Sequence, residues 1–306
     1  MSEPSQTIKK FEDGIYSDIT IEDYHMSKGI SATTIKWARE SLKHYDWYRR
    51  GLITVEKKPH YDFGNAFELA LLAHDEYLKR VAIVPDSEWI EEALKVNPEL
   101  KVPRNSNVYK GLSSAWFAQQ QGKYIIEETG QQSFETIEEM LSSCYQDKVI
   151  QALIKNTEYQ LSLYWTDPGT GLQLKTRPDF CKRKKNVIVN LKTTEDGSPE
   201  GFARDIGKFN YGLQAAIETR GAMATGLMEN VDTYLWLVVE KVPPFNASLY
   251  EFDKVDAQFF DDELSFLLGK IKKGKDENFW PGYSDFADNE HGILTAKIPL
   301  WAKTLR

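Results

Sequence analysis

The sequence predicts an α/β protein in which a central mixed β-sheet is flanked by helices. Short apolar runs at residues 187–189 and 234–239 are typical of buried strands. Segments 64–79 and 134–154 instead carry apolar residues at helical spacing. With 306 residues, 41% of them hydrophobic, the chain is long enough to bury a large core.

The chain divides into an N-terminal arm and a single domain. Residues 1–28 are polar and acidic, and we expect them to form either a loose arm or a first strand; residues 29–306 form the domain. Residues 85–122 are polar and irregular, which predicts a surface insertion with short helices. No apolar run is long enough to span a bilayer, and the first residues lack a signal-peptide pattern. Cys144 and Cys181 provide neither a disulfide framework nor a zinc quartet, so we expect a cytoplasmic protein.

Helices and strands follow from the periodicity of the apolar residues. The first helix is expected to begin at Ser31 or Thr33, either of which can serve as its N-cap. The predicted helices cover about residues 34–43, 64–79, 134–154 and 257–272, and residues 202–228 are predicted as a helix interrupted by glycines. The predicted strands cover residues 159–165, 172–180, 187–189, 234–239 and 247–252.

The helix predicted over residues 64–79 is apolar on nearly every side, so it should be buried. Glu68 lies within it, and a buried carboxylate is costly unless it is paired or binds a metal. The alternative is that Glu68 lies on a narrow solvent-facing stripe.

The central prediction concerns a hairpin whose polar turn covers residues 182–186. Asp179 ends the first strand, and the turn is long enough to place it beside Asn190. Because side chains alternate along a strand, Asn190 and Lys192 should share one face. A carboxylate, an amide and an ammonium group at one place suit Mg²⁺-assisted hydrolysis of a phosphodiester. The alternative is an ordinary hairpin with a solvated Asp and Lys.

Several motifs along the chain add specificity to this pattern. They are G-I-S-A-T-T-I-K-W (29–37), F-G-N-A-F-E-L-A-L-L (63–72), L-Y-W-T-D-P-G-T-G-L (163–172), R-P-D-F (177–180), V-I-V-N-L-K-T-T (187–194), Y-G-L-Q (211–214) and I-P-L-W-A (298–302). Together they resemble the PD-(D/E)XK nuclease superfamily. Within it the chain is most similar to the exonuclease VIII (RecE-type) group of phage and prophage recombination exonucleases.

The resemblance implies a PD-(D/E)XK nuclease-like core and a role for each matching residue. The implied metal ligands for Mg²⁺, with Mn²⁺ as a substitute, are Glu68, Asp179, Asn190 and the carbonyl of Leu191. Lys192 would position the attacking water, and Gln214 would steady that water or the phosphate. Tyr211 would lie beside the scissile phosphate, and Arg49 and Arg50 near the DNA entrance.

Three positions depart from the family pattern. Glu68 stands where this group usually has His, and Gln160 where many relatives have Glu. Asn190 stands where the pattern requires Asp or Glu. Asn190 indicates either a weakened natural enzyme or a replacement of the acid by its isosteric amide.

The function implied by the resemblance is a 5′–3′ exonuclease that digests linear double-stranded DNA for single-strand-annealing recombination. The resemblance also implies double-stranded DNA ends as the substrate, a single-strand-annealing partner protein and a ring-shaped homo-oligomer. One alternative is a catalytically impaired DNA-end-binding recombination protein, and another is an endonuclease on the same fold. The net charge of −8 argues against a general nucleic-acid binder. A phosphate-binding groove would therefore need the basic clusters to converge, namely Lys43 with Arg49 and Arg50, Lys57 with Lys58, residues 182–185 and residues 270–275. No phosphate-binding loop of the ATPase type is present.

Overall fold

The computed structural model describes residues 9–54, 59–287, 289–298 and 303. Its helices are α1 (Ile21–Met26), α2 (Ala32–Glu40), α3 (Leu42–Arg49), α4 (Pro59–Leu72), α5 (His74–Arg80), α6 (Asp86–Val96), α7 (Asn107–Gln119), α8 (Phe134–Gln146), α9 (Lys148–Ile154), α10 (Pro199–Phe209), α11 (Tyr211–Ala224) and α12 (Lys254–Glu277). Helices α6 and α7 lie in the predicted insertion.

The strands form one larger sheet and two smaller ones. They are β1 (Gly14–Tyr16), β2 (Val81–Ile83), β3 (Tyr124–Ile126), β4 (Glu158–Tyr159), β5 (Ser162–Thr166), β6 (Gln173–Thr176), β7 (Phe180–Lys182), β8 (Val187–Thr194), β9 (Thr233–Glu240) and β10 (Ala247–Glu251). The central sheet has the order β10-β9-β8-β7-β4. Only its β8–β9 pair is parallel, so this sheet is mixed, as predicted. Strands β1, β5 and β6 form a second sheet, and β2 pairs with β3.

Helices cover both faces of the central sheet. On one face Val189 and Leu191 of β8 pack against α4, including Phe67, and against α8. On the other face Ile188 packs against α11, including Ala215. Fully burying an aliphatic or aromatic side chain contributes roughly 1.5–3 kcal/mol, so these two layers hold the sheet in place. The predicted α/β class, with helices flanking a mixed sheet, is confirmed.

The predicted hairpin is formed by β7 and β8. Phe180 pairs with Val189 and Lys182 with Val187 in antiparallel register. The turn contains a short 3-10 helix, and Asn186 follows it with a φ of 53°. Asparagine tolerates this left-handed conformation better than most residues, which explains its place at the tight reversal.

Four predicted helices are interrupted in the structure, at Ser41, Ala73, Asp147 and Asn210. Ser41 and Asp147 each cap a new helix by accepting hydrogen bonds from its first backbone amides. Asn210 adopts a left-handed conformation that separates α10 from α11. The predictions of continuous helices over 34–43 and 134–154 were wrong because the polar caps Ser41 and Asp147 interrupt apolar periodicity that continues across them. The helix predicted over 64–79 ends instead at Ala73, which makes no side-chain cap hydrogen bond. The predicted N-cap Ser31 is confirmed, since it accepts a hydrogen bond at the start of α2.

Two predicted strands, 159–165 and 172–180, are each divided between two sheets. Gln160 has a φ of 52° and separates β4 from β5. Pro178 lies between β6 and β7, where its missing amide hydrogen cannot extend a ladder. The first break lets the chain pass from the central sheet into the sheet of β1, β5 and β6. The second break lets it return to the central sheet at the hairpin.

Part of the sequence pattern lies outside the described residues. The basic pair Lys57 and Lys58 and the aromatic residue Trp301 of the last motif belong there. Within the described ranges, no helix combines the length and the apolar character needed to cross a membrane.

Candidate active site

The β7–β8 hairpin places Asp179 beside the polar end of β8. Oδ2 of Asp179 accepts a hydrogen bond of 2.6 Å from the backbone amide of Leu191. Burial raises the pKa of Asp179, while Lys192 and the Leu191 amide act in the opposite direction. The predicted proximity of Asp179 to the 190–192 stretch is therefore present in the structure.

Helix α4 brings Glu68 to the same place. Its side chain is half-buried, and Oε1 accepts a hydrogen bond of 2.9 Å from Nε2 of Gln160. Arg177 in turn donates to Oε1 of Gln160 at 3.1 Å, which fixes the orientation of that amide. Burial, followed by the negative charge of Asp179, raises the pKa of Glu68 to about 8. Two carboxyl groups with raised pKa values thus lie in one region of the structure.

On the α11 side of the site, Lys192 of β8 lies against Gln214 and Tyr211 of that helix. Nζ of Lys192 donates to Oε1 of Gln214 at 3.2 Å and lies 4.4 Å from the centroid of the Tyr211 ring. Burial lowers the pKa of Lys192, and the charges of Asp179 and nearby glutamates oppose this effect. A lysine held against a ring and an amide is well placed to contact an anionic group.

Asn190 lies beneath this cluster with 0% of its surface exposed. Its Nδ2 donates to Oε1 of Glu218 at 3.3 Å, whereas its Oδ1 has no hydrogen-bond partner among the described residues. Asn190 and Lys192 both contact α11, so they share one face of β8 as predicted. An unpartnered buried oxygen is unusual because it forfeits its solvation without compensation.

The donors fit a hard divalent cation. The described residues contain no cluster of three or more His, Cys, Asp or Glu side chains that could bind a metal. Mg²⁺, however, is commonly bound by one or two carboxylates and keeps several waters. Glu68 and Asp179 supply two carboxylates, and the unpartnered oxygen of Asn190 supplies a neutral donor of the kind Mg²⁺ accepts.

The sequence analysis missed two residues of the site, Lys36 and Glu218. Lys36 projects from α2, and its Nζ lies 5.8 Å from the centroid of the Tyr211 ring. Burial, followed by the charge of Lys192, lowers the pKa of Lys36 to about 8. Its motif was noted, but nothing local marks this lysine as part of a site.

Glu218 lies on α11 and is 1% exposed. Burial, followed by the charge of Asp179, raises its pKa to about 7. A signal for Glu218 existed in the sequence. It is a carboxylate on a helix with mostly apolar neighbours, which is the same argument that identified Glu68.

The predicted DNA contacts Arg49 and Arg50 are engaged differently. Both form ion pairs with Asp46, Arg50 at 3.3 Å, and the guanidinium of Arg49 lies 4.6 Å from the centroid of the Trp280 ring. Their side chains remain 41% and 57% exposed, so a contact with DNA stays a prediction.

The hairpin of the mixed sheet brings Asp179 to Lys192, and the helices on either side add Glu68 and Gln214. This arrangement defines a PDDEXK-like domain. The family described as "PDDEXK-like domain of unknown function (DUF3799)" matches residues 31–291, and the chain belongs to this family.

One solved structure agrees with this fold. A protein from Eubacterium rectale named "Putative exonuclease" superposes with a TM-score of 0.57 at 13% identity, covering 93% of this chain and 97% of that one. The structure of SSO0001 has a TM-score of 0.26 at 13% identity, covering 68% and 85% of the two chains, and supports no argument. The search of curated protein sequences found no match.

Proposed function

We propose that this protein is a Mg²⁺-dependent deoxyribonuclease, and specifically a 5′–3′ exonuclease acting on linear double-stranded DNA. The observation that carries the proposal is the proximity of Glu68, Asp179 and Lys192, whose charges act on one another, together with the hydrogen bond from the Leu191 amide to Asp179. Such a group combines metal donors with an ammonium group, an arrangement suited to phosphodiester hydrolysis. The name of the Eubacterium rectale protein supports an exonuclease, and the resemblance to the RecE-type group supports the polarity.

In this proposal Glu68, Asp179, Oδ1 of Asn190 and the carbonyl of Leu191 hold the metal. When bound, Mg²⁺ neutralises charge on the phosphate and makes a bound water more acidic. Because it compensates two carboxylates with raised pKa values, its binding also favours their ionised forms.

The remaining residues act on the phosphate and the water. Lys192 orients the attacking water or offsets negative charge that develops on the phosphate. Gln214 holds the ammonium group of Lys192 through the 3.2 Å hydrogen bond and so fixes where it points. Lys36 and Tyr211 border the same space, where the lysine can contact a backbone phosphate.

Assembly and cellular context are further parts of the proposal. We infer from the resemblance a ring-shaped homo-oligomer that encloses duplex DNA, and a single-strand-annealing protein that takes up the strand left after digestion. Action on phage or prophage DNA in the cytoplasm is consistent with a site that needs neither disulfides nor ATP.

A second function, binding of DNA ends without cleavage, is favoured by one observation. Asn190 is neutral, so the site has one charge fewer than the family pattern provides. A weaker metal site would leave the ability to bind DNA intact while reducing catalysis.

Digestion of end-labelled DNA tests both proposals. Linear duplex labelled at either 5′ end and covalently closed circles would be incubated with Mg²⁺, Mn²⁺ or EDTA. The exonuclease proposal expects metal-dependent release of nucleotides from linear DNA and intact circles. Asp179→Ala should abolish release while the protein remains folded, and the matched control Asp167→Asn should retain it. Cleavage of circles favours an endonuclease, and binding without release favours the end-binding protein.

A further inference from the structure

Glu218 is buried among neutral hydrogen-bond donors. Its Oε1 accepts from Nδ2 of Asn190 at 3.3 Å and from Nε2 of Gln214 at 2.9 Å. Its Oε2 accepts from the hydroxyl of Tyr234 at 2.8 Å. No ion pair engages this carboxylate within the described part of the chain. Burying a carboxylate with only neutral donors is costly, which raises the question of what it does there.

The contacts of Glu218 determine which end of each amide faces it. A side-chain amide has a donor end and an acceptor end, and rotation by half a turn exchanges them. A carboxylate only accepts, so the nitrogens of Asn190 and Gln214 turn toward Glu218. The oxygens therefore turn away from it, and that of Gln214 receives the ammonium group of Lys192. The oxygen of Asn190 has no partner among the described residues.

We propose that Glu218 is a positioning residue that fixes the amides of Asn190 and Gln214 so that both present oxygen to cations, Asn190 to the metal and Gln214 to Lys192. This inference rests on the proposed function and deepens it. It accounts for the amide at position 190, because a carboxylate there would lie against Glu218 without a donor between them. Like charges at that distance destabilise each other. Asn190 and Glu218 are thus complementary, and neither is explained without the other.

A double-mutant cycle on the full chain tests the proposal. Glu218→Leu and Asn190→Asp are made singly and together, and Mg²⁺ affinity is measured by calorimetry without DNA. In the chain that keeps Asn190, Glu218→Leu should weaken Mg²⁺ binding at least tenfold, within the range of about 10–100-fold for residues that orient ligands. In the Asn190→Asp background the same change should lower the Mg²⁺ affinity less than about twofold. A carboxylate has oxygen at both ends, so its orientation does not need to be fixed. The control Asp167→Asn removes a buried charge that contacts Thr170, and it should leave the affinity unchanged.

The outcomes separate this inference from the proposed function. An equal penalty in both backgrounds, or none while Asn190 is present, overturns the positioning role and leaves the nuclease proposal standing. If the unaltered protein binds no Mg²⁺, both fail.

A second measurement does not depend on Glu218→Leu folding. The side-chain amide of Asn190 in ¹⁵N-labelled protein, identified by its loss in Asn190→Asp, should exchange slowly with solvent and shift when Mg²⁺ is added. Fast exchange, or no shift at saturating Mg²⁺, overturns the proposal.

Discussion

Glu68→Gln should stabilise the metal-free protein at neutral and alkaline pH. The pKa of Glu68 is about 8 in the folded chain against an ordinary value of 4.5. Because the folded state retains a proton that the unfolded chain releases, stability is full below about pH 4.5 and falls as the pH rises towards 8. At pH 7 this corresponds to about 3 kcal/mol, which partial solvent contact reduces to roughly 2 kcal/mol. Glutamine keeps the shape of the side chain at position 68 but cannot ionise.

The assay is thermal unfolding in EDTA between pH 5 and pH 9. Wild type should lose stability across this range, and Glu68→Gln should lose about 2 kcal/mol less, or roughly 4 °C in Tm. The exposed control Glu139→Gln should follow wild type. Addition of Mg²⁺ at pH 8 should recover the stability of wild type more than that of Glu68→Gln, since only the carboxylate gains a metal partner. Identical pH profiles for wild type and Glu68→Gln would refute the raised pKa of Glu68.

Two further predictions concern DNA. Lys36→Met should weaken binding of duplex DNA by about tenfold without changing Mg²⁺ affinity, while the exposed control Lys110→Met should bind DNA as wild type does. DNA binding would be measured by fluorescence anisotropy. Equal binding by both variants would exclude Lys36 as a phosphate contact. The affinity for DNA should also fall steeply with salt, and each phosphate contact should contribute about −0.9 to the slope of log affinity against log salt concentration. This slope should become shallower in Arg49→Gln and Arg50→Gln. An unchanged slope would show that these two arginines do not contact DNA.

The sequence predicted those parts of the fold that local pattern determines. The hairpin around Asp179 and Lys192 follows from a short apolar run, a polar turn and strand alternation, all within a few residues of each other. The helix interruptions at Ser41 and Asp147 were missed because a cap is a single polar residue in an apolar pattern that continues past it. The division of strands at Gln160 depends on which sheet each half joins, and local pattern carries no such information.

The candidate site was predicted where chemistry and burial coincide in one segment. Glu68 was identified because a carboxylate within an apolar helix needs a reason to be there, and the same argument applied to Glu218 without being used. Lys36 could not be identified in this way, because its significance comes from Tyr211 and Lys192, which approach it only in the folded chain. The roles of these residues in catalysis stay predictions.

The hydrogen bond from Gln160 to Glu68 joins residues 92 positions apart, and the site also needs α2, the hairpin and α11. No fragment released early in synthesis contains all of these parts. A ribosome-bound chain therefore has no complete site until α11 has emerged. Metal binding should accordingly be absent from a chain that stops after β8, and Mg²⁺-dependent slowing of hydrogen exchange should extend to α2, α4 and α11 together in the whole protein.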